Sequence, residues 1–261
     1  MASKWKVIGE GLVGAAAIGI ALLTPFLRSR RVRWGATDAE VQRTLPGDDL
    51  VPHPKWRYTN AITIKAPVTD VWPWLVQIGQ GRGGLYSYEW LENLVGCDIH
   101  NANQIIQEFQ HLEVGDSVRL HPEMPGYPVA IVEPGRVIVL HADTRTGPTP
   151  VPGGMKSEDY YVSTWVFFLD KLEERRTRLI SRLRSDYNPR MRNKLLYGPC
   201  LVEPISTAMQ RKMLLGIKQR AESVPSALRK RATVRRNAKK DKGEGTKGGE
   251  VDKESSDTVF C

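Results

Sequence analysis

The sequence predicts an α+β domain in which helices cover one face of an antiparallel sheet. Three observations carry that reading: a strand followed at once by an amphipathic helix after residue 61, a succession of short alternating segments between residues 117 and 185, and a long helix with an apolar face ending near residue 221. An apolar content of 41% and a charged content of 26% suit an ordinary globular core and exclude wholesale disorder.

The first element is announced by Thr37-Asp-Ala-Glu40, a capping box. The Thr37 hydroxyl can accept from the Glu40 amide while the Glu40 carboxylate reaches back, and Pro46-Gly47 closes the short helix. Residues 45–54 then run extended towards Tyr58. Ala61-Ile-Thr-Ile-Lys65 alternates apolar and polar, as a half-buried strand does, and Ala66-Pro67 stops it. A helix starts at about Asp70, with Val71, Trp74, Leu75 and Ile78 on one face; Pro73 is assigned to its first turn, where the missing amide has no partner to lose. Residues 79–84 break this helix, residues 86–95 begin a short aromatic-rich one, and residues 99–112 are helical or irregular.

The period then changes from 3.6 to two. Residues 117–120, 129–132 and 137–141 read as strands, the last two joined by the turn Glu133-Pro-Gly135. Residues 162–169 and 178–185 pair across the charged turn at 173–176. Residues 204–221 read as a helix with Ile205, Ala208, Met209, Met213, Gly216 and Ile217 on its apolar face. A sheet that curves around this helix leaves space that side chains need not fill, so a cavity is expected between them.

The ends of the chain differ from its middle. Residues 1–33 are expected to form an N-terminal membrane anchor with an Arg-rich flank, 34–222 the folded domain and 223–261 a disordered basic tail. Beginning at Val7, the apolar run to Leu27 would span about 31 Å as a helix, which matches a hydrocarbon core of about 30 Å. Arg28, Arg30, Arg31 and Arg33 follow it, against Lys4 and Lys6 upstream, and this bias places the domain in the cytoplasm as part of a single-pass membrane protein. No small-x-small cleavage site precedes the Arg cluster, which disfavours a cleaved signal peptide. The net charge of +9 also resides at the ends: residues 34–222 carry 22 Lys/Arg and 22 Asp/Glu. A neutral body removes the case for nucleic acid as a partner. Cys97, Cys200 and Cys261 are odd in number and far apart, which reads as reduced thiols with no disulfide framework and no zinc site.

Ile62-x-Ile64-x-Ala66-Pro67-x-x-x-Val71-Trp72-x-x-Leu75 resembles the first strand and following helix of the START-like, or polyketide cyclase/dehydrase, superfamily (SRPBCC). Trp34-Gly-Ala-Thr-Asp38, Leu45-Pro-Gly-Asp-Asp49, the string from Gly79 to Asn93 and Met213-Leu-Leu-Gly-Ile-Lys218 are similar to a bacterial branch of it that often carries N-terminal hydrophobic segments. The likeness covers residues 34–222. It implies a helix-grip fold, a curved antiparallel sheet wrapped on a long C-terminal helix, and activities that range from lipid carriage to cyclisation, with no universal catalytic motif to transfer. The superfamily usually has seven strands, and six are countable here.

Gly79-Gln-Gly81-Arg-Gly-Gly84 matches G-x-G-x-x-G in letters, but a helix precedes it and the strands after it are antiparallel, so the dinucleotide reading lacks its βαβ context. A glycine turn is expected, with a loop at a cavity mouth as its functional version. Tyr86, Tyr88 and Trp90 follow; each joins a large apolar body to one polar handle, which suits either core packing or a mostly apolar ligand. Trp74 and Trp165 are the other aromatic candidates for the cavity wall. His141 shares a strand face with Val137 and Val139 and lines the cavity if that face is interior. Arg182 and Arg184 share the face of Ile180, opposite Leu179, Ser181 and Leu183, and are expected on a solvated surface. Asp98-Ile-His100 could pair for general base work, and Ser87 lacks the elbow of a hydrolase nucleophile. No cofactor or metal is called for.

These expectations converge on a membrane-tethered binding protein for a hydrophobic small molecule or lipid. Ligand contacts are assigned to Trp74, Tyr86, Tyr88, Trp90, His141 and Trp165. A cyclase- or aromatase-like enzyme using Tyr88, His100 or His141 is one alternative, and a membrane-associated interaction protein without a ligand is the other.

Overall fold

Alternation of apolar and polar residues from Trp56 onward becomes a single antiparallel sheet of six strands among the described residues, in the order β1-β6-β5-β4-β3-β2. The strands are β1 (Trp56–Ile64), β2 (Ser117–Val118), β3 (Tyr127–Glu133), β4 (Val137–Asp143), β5 (Tyr161–Glu173) and β6 (Arg176–Tyr187). The computed structural model describes residues 12–16, 18–20, 27–146, 159–191, 193–194, 198 and 200–223. The tail expected at 223–261 falls outside them except for Ser223, as does most of the anchor segment 7–27. Among the described residues no helix is long and apolar enough to cross a membrane.

Helices among the described residues include α1 (Arg28–Arg31), α2 (Asp38–Gln42), α3 (Val68–Val76), α4 (Glu89–Leu94) and α5 (Val202–Ser223), besides the helical residues 12–16 and 18–20. The capping box forms as the sequence requires, with Thr37 Oγ1 accepting from the Glu40 amide and Glu40 Oε2 from the Thr37 amide. Helix α3 begins two residues earlier than its periodicity suggests, so Pro73 sits inside the helix and not in its first turn. The segment 99–112 contains a 3-10 turn, Gln107–Phe109, and is otherwise irregular.

The register fixes which side chains share a face. Trp165 lies opposite Leu183 and Leu140, and Phe167 lies opposite Ser181 and Ile138. That face carries Ile64, Ile138, Leu140, Trp165, Phe167, Leu169 and Leu179, and packs in one cluster with Val71, Trp74, Leu75 and Ile78 of the α3 region and with Met213, Leu214, Ile217 and Ala221 of α5. It is the interior face.

The other face does not meet solvent. Val137, Val139, Val166, Phe168 and Ile180 are buried there against Leu45, which belongs to the segment between α2 and β1. Arg182 and Arg184 do point away from the interior, as their parity requires, yet they are 2% and 9% exposed. The expected solvated surface is corrected for a physical reason: a strap formed by residues 37–54 crosses it and needs its carbonyls satisfied. Arg182 donates to the carbonyls of Glu40 (2.6 Å) and Arg43 (2.8 Å) and to the Asp48 carboxylate (2.5 Å). Arg184 donates to the carbonyls of Val51 (2.9 Å) and Pro52 (3.0 Å). Arg178 pairs with Glu40 of the capping box at 2.7 Å. The three arginines of one strand face thus pin the strap to the sheet. Next to it, residues 32–34 run along the free edge of β1, where the Thr59 and Ala61 amides donate to Val32 and Trp34.

Candidate functional site

Helix α5 faces the sheet along its whole length, but its inward stripe changes character. In the second half it is apolar, with Met213, Leu214, Ile217 and Ala221. In the first half the buried positions are Glu203, Pro204, Thr207 and Gln210, while Ile205, Ala208 and Met209 are only half-buried. The apolar face expected from the sequence is therefore rotated at its N-terminal end. Glu203 is held by Arg28, whose Nε and second terminal nitrogen donate to its two oxygens at 2.8 and 2.6 Å. Gln210 accepts from the Tyr58 hydroxyl at 3.3 Å, and its amide nitrogen is buried with no partner.

The sheet opposite this stripe is equally polar. Tyr58, Tyr161 and Tyr187 form a buried cluster with Trp56, and the Tyr161 hydroxyl meets Ser185 Oγ at 3.2 Å. Tyr127 lies against Ser163 and Tyr161. Trp165 Nε1 donates to Ser181 Oγ at 3.2 Å, and its ring centroid lies 4.8 Å from that of Phe167. One end of the interior is thus lined by hydroxyls on an aromatic wall. Burial raises the Tyr58 and Tyr127 hydroxyls far above the usual phenol value, so both stay protonated in water at any neutral pH. They can donate hydrogen bonds to a bound group; they are not phenolate bases. An unpartnered buried donor such as the Gln210 amide costs about 1–3 kcal/mol, an amount that a ligand's polar group would recover.

The other end of the interior is closed by the glycine loop. Gly79 and Gly84 exchange both amide–carbonyl hydrogen bonds, at 2.9 and 3.0 Å, so the loop's own backbone consumes the amides that a phosphate would need. It follows α3, with no strand before it, and the glycine-turn reading holds. Tyr86, at φ 56°, ends the loop and is fixed by its amide donating to Asn101 Oδ1 at 2.6 Å. Its ring meets Trp74 edge-on, centroids 5.9 Å apart, and the Arg220 guanidinium of α5 covers it at 4.8 Å. Burial pushes its hydroxyl up to about 12. The backbone comes so near α5 that a Cβ at Gly216 would collide with the Tyr86 carbonyl and lie 3.0 Å from its Cβ.

Of the six residues assigned from the sequence, Trp74, Tyr86 and Trp165 are brought into one buried cluster. Tyr88 is half-buried at the start of α4, with Lys212 of α5 5.6 Å above its ring and Gly14 of the N-terminal helical residues packed on its other side. Trp90 is 41% exposed on the outer side of α4. His141 shares its face with Val137 and Val139 as expected, but that face is the one under the strap, and its Nδ1 lies 3.1 Å from the Ser163 carbonyl. Asp98 and His100 do meet, at 3.1 Å, but both are mostly exposed. The residues that sequence reasoning missed are Tyr58, Tyr127, Tyr161, Ser163, Ser185 and Gln210. The available signal was the polar stripe Glu203, Thr207, Gln210 at helical spacing, hidden beside a more apolar one. Among the described residues no cluster of His, Cys, Asp and Glu could hold a metal, and Cys97 and Cys200 are free.

An antiparallel sheet packed on a long C-terminal helix is the helix-grip architecture, and this chain has it. No family model and no curated protein matches the sequence. Solved structures that match include a hypothetical protein from Helicobacter pylori, 11% identical over 68% of this chain and 95% of its own, with a TM-score of 0.40. Norcoclaurine synthase from Thalictrum flavum is 15% identical over 63% and 94%, TM-score 0.32. The Zhui aromatase/cyclase from Streptomyces sp. R1128 is 12% identical over 64% and 93%, TM-score 0.26. Likeness at this level concerns the backbone and leaves the chemistry to the residues described above.

Proposed function

We propose that this chain binds a mostly apolar small molecule or lipid between the sheet and α5, and that residues 7–27 tether it to a membrane with the domain on the cytoplasmic side. The observation that carries the binding reading is the buried set Tyr58, Tyr127, Tyr161, Ser163, Ser185 and Gln210 beside Trp165. Such a set joins an apolar wall, worth roughly 25 cal/mol per Å² of ligand surface removed from water, to a few fixed hydroxyls that orient a polar end. Binding is favoured over a cyclase-like reaction because burial holds the Tyr58 and Tyr127 hydroxyls protonated and His141 lies on the opposite face of the sheet. The tether is supported by the apolar run and the four arginines that follow it.

Native mass spectrometry of the full-length protein, released from detergent and followed by solvent extraction, tests the binding. A stoichiometric adduct that extracts as a lipid or apolar metabolite is expected, and Gln210→Leu should lose at least about tenfold in occupancy by removing the amide contact. A bare mass, with no uptake from a crude lipid extract, refutes it.

A further inference from the structure

An open groove of about 610 Å³ lies on the surface between α1 and the start of β1, on the outer side of Trp56 and Arg28, lined by Arg28, Val32, His53, Lys55, Trp56 and Arg57 among others. We infer that this groove is a binding site for a phosphoryl group. Its cations come from two stretches of chain, and the structure fixes them in different ways. Arg28 is locked by the bidentate contact with the buried Glu203. Lys55 pairs with Asp186, and its amide donates to the Ser185 carbonyl at 2.8 Å. The wall at Pro52 is held by Arg184 at 3.0 Å. These contacts hold a rigid basin in which two cations are already placed.

The Arg57 and His53 side chains are exposed and have no hydrogen bond or ion pair among the described residues. Arg57 stands directly across from Arg184 in the β1–β6 register, and Thr59, the next residue on that face, stands across from Arg182. Asp48 is the carboxylate that serves both Arg182 and Arg184, at 2.5 and 3.7 Å. Like charges directly opposite on paired strands are destabilising, so Arg57 stands where the sheet gains nothing from it. Burial is the main cause that lowers the proton affinity of Arg182, and the positive charges of Arg184 and Arg57 add to it. A phosphomonoester, carrying about −1.5 to −2 at neutral pH with three acceptor oxygens, is the anion that matches a free guanidinium and an imidazole beside two cations that are already paired with carboxylates. The groove has room for more than a phosphate, so the group can be carried on a further moiety, either a lipid headgroup or a small soluble ester. The position favours neither source outright: Arg28 directly follows the apolar run, and the groove is open to water.

The test uses the full-length protein. Glycerol 3-phosphate and inorganic phosphate are titrated calorimetrically, and flotation is measured with phosphatidylcholine vesicles with and without phosphatidic acid. Arg57→Glu is compared with Arg235→Glu, the same charge change placed in the basic tail. Arg57→Glu should weaken binding about tenfold or more in at least one arm without lowering the thermal midpoint, since it puts a carboxylate opposite Arg184, and Arg235→Glu should not weaken binding. Loss in the soluble arm identifies a free phosphate ester, and loss confined to phosphatidic-acid vesicles identifies a headgroup. Exposed His53→Gln gives a second variant that should weaken the same arm if Arg57→Glu fails to fold. Equal effects of Arg57→Glu and Arg235→Glu, or no effect of Arg57→Glu and His53→Gln in either arm, overturn the proposal.

Discussion

Glu92 on α4 is 4% exposed, and both its carboxylate oxygens are buried with no hydrogen-bond partner. Burial, reinforced by the neighbouring charge of Glu89, pushes its carboxyl up to about 7 from an ordinary 4.5. The folded state therefore holds a proton that the unfolded state releases. Its contribution to stability is intact below the unfolded value of 4.5, falls as pH rises towards about 7 and is level above that. Glu92→Gln removes the fall: stability should match the parent at pH near 4 and exceed it near pH 8 by roughly 2–3 kcal/mol, read from urea midpoints at the two pH values. The same residue-scale logic explains what the sequence could show. A glutamate in the middle of Glu89-Trp-Leu-Glu92 reads as a solvated helix face, because no local spacing reveals that the helix is laid down with that side inward. Tyr86 and Trp74 were legible as large aromatics; the close approach of α5 to the Tyr86 backbone depends on Gly216, more than a hundred residues away.

Among the elements, the strap is the one that periodicity could not place. Its capping box and its Pro46-Gly47 stop are local chemistry and are visible in the letters, and both form. That it lies across the outer face of β6 is settled by Arg182, which reaches three carbonyls and one carboxylate on it. Arg182→Met should destabilise the domain by about 3–5 kcal/mol, because Asp48 and the strap carbonyls would be left buried with fewer partners. Chemical denaturation measures this, and a change below about 1 kcal/mol would show that the strap is held by Leu45 and its apolar neighbours alone. Helix α5 teaches the complementary lesson. Its length and its apolar residues mark it as the closing helix, yet two overlapping stripes compete for the inward position. The polar one wins over the first turns because Arg28 and Tyr58 supply partners for Glu203 and Gln210.

For the molecule as a whole, charge separates the parts. The neutral middle folds around two layers of side chains on either side of one sheet, while the excess of arginine and lysine lies in the flanking segments. The helical residues 12–16 rest on Tyr88 and Leu91 through Gly14 and leave Leu12 and Val13 each 63% exposed; Trp90 and Leu94 of α4 and Val95 after it are exposed as well. Membranes washed in alkaline carbonate test the tether at this scale. The full-length chain should stay in the pellet, and release into the supernatant would leave the apolar run without its bilayer.

The order of elements, the strand alternation, the turns at 133–135 and 173–176 and the capping box were determined by the sequence alone, because each depends on residues within a turn or two of one another. The same is true of which side chains share a strand face: parity puts Trp165 with Ser163 and Phe167, and His141 with Val137 and Val139. Which of the two faces is interior was decided only by tertiary structure. Both faces are apolar enough to be buried, and the choice rests on what covers each. Helix α5 returns from the far end of the chain to close one face, and the strap crosses the other through arginines about 140 residues distant in sequence. Contacts at that separation leave no periodic trace, so the hydroxyl-lined interior, the buried arginines and the basic groove became visible only when the chain was folded.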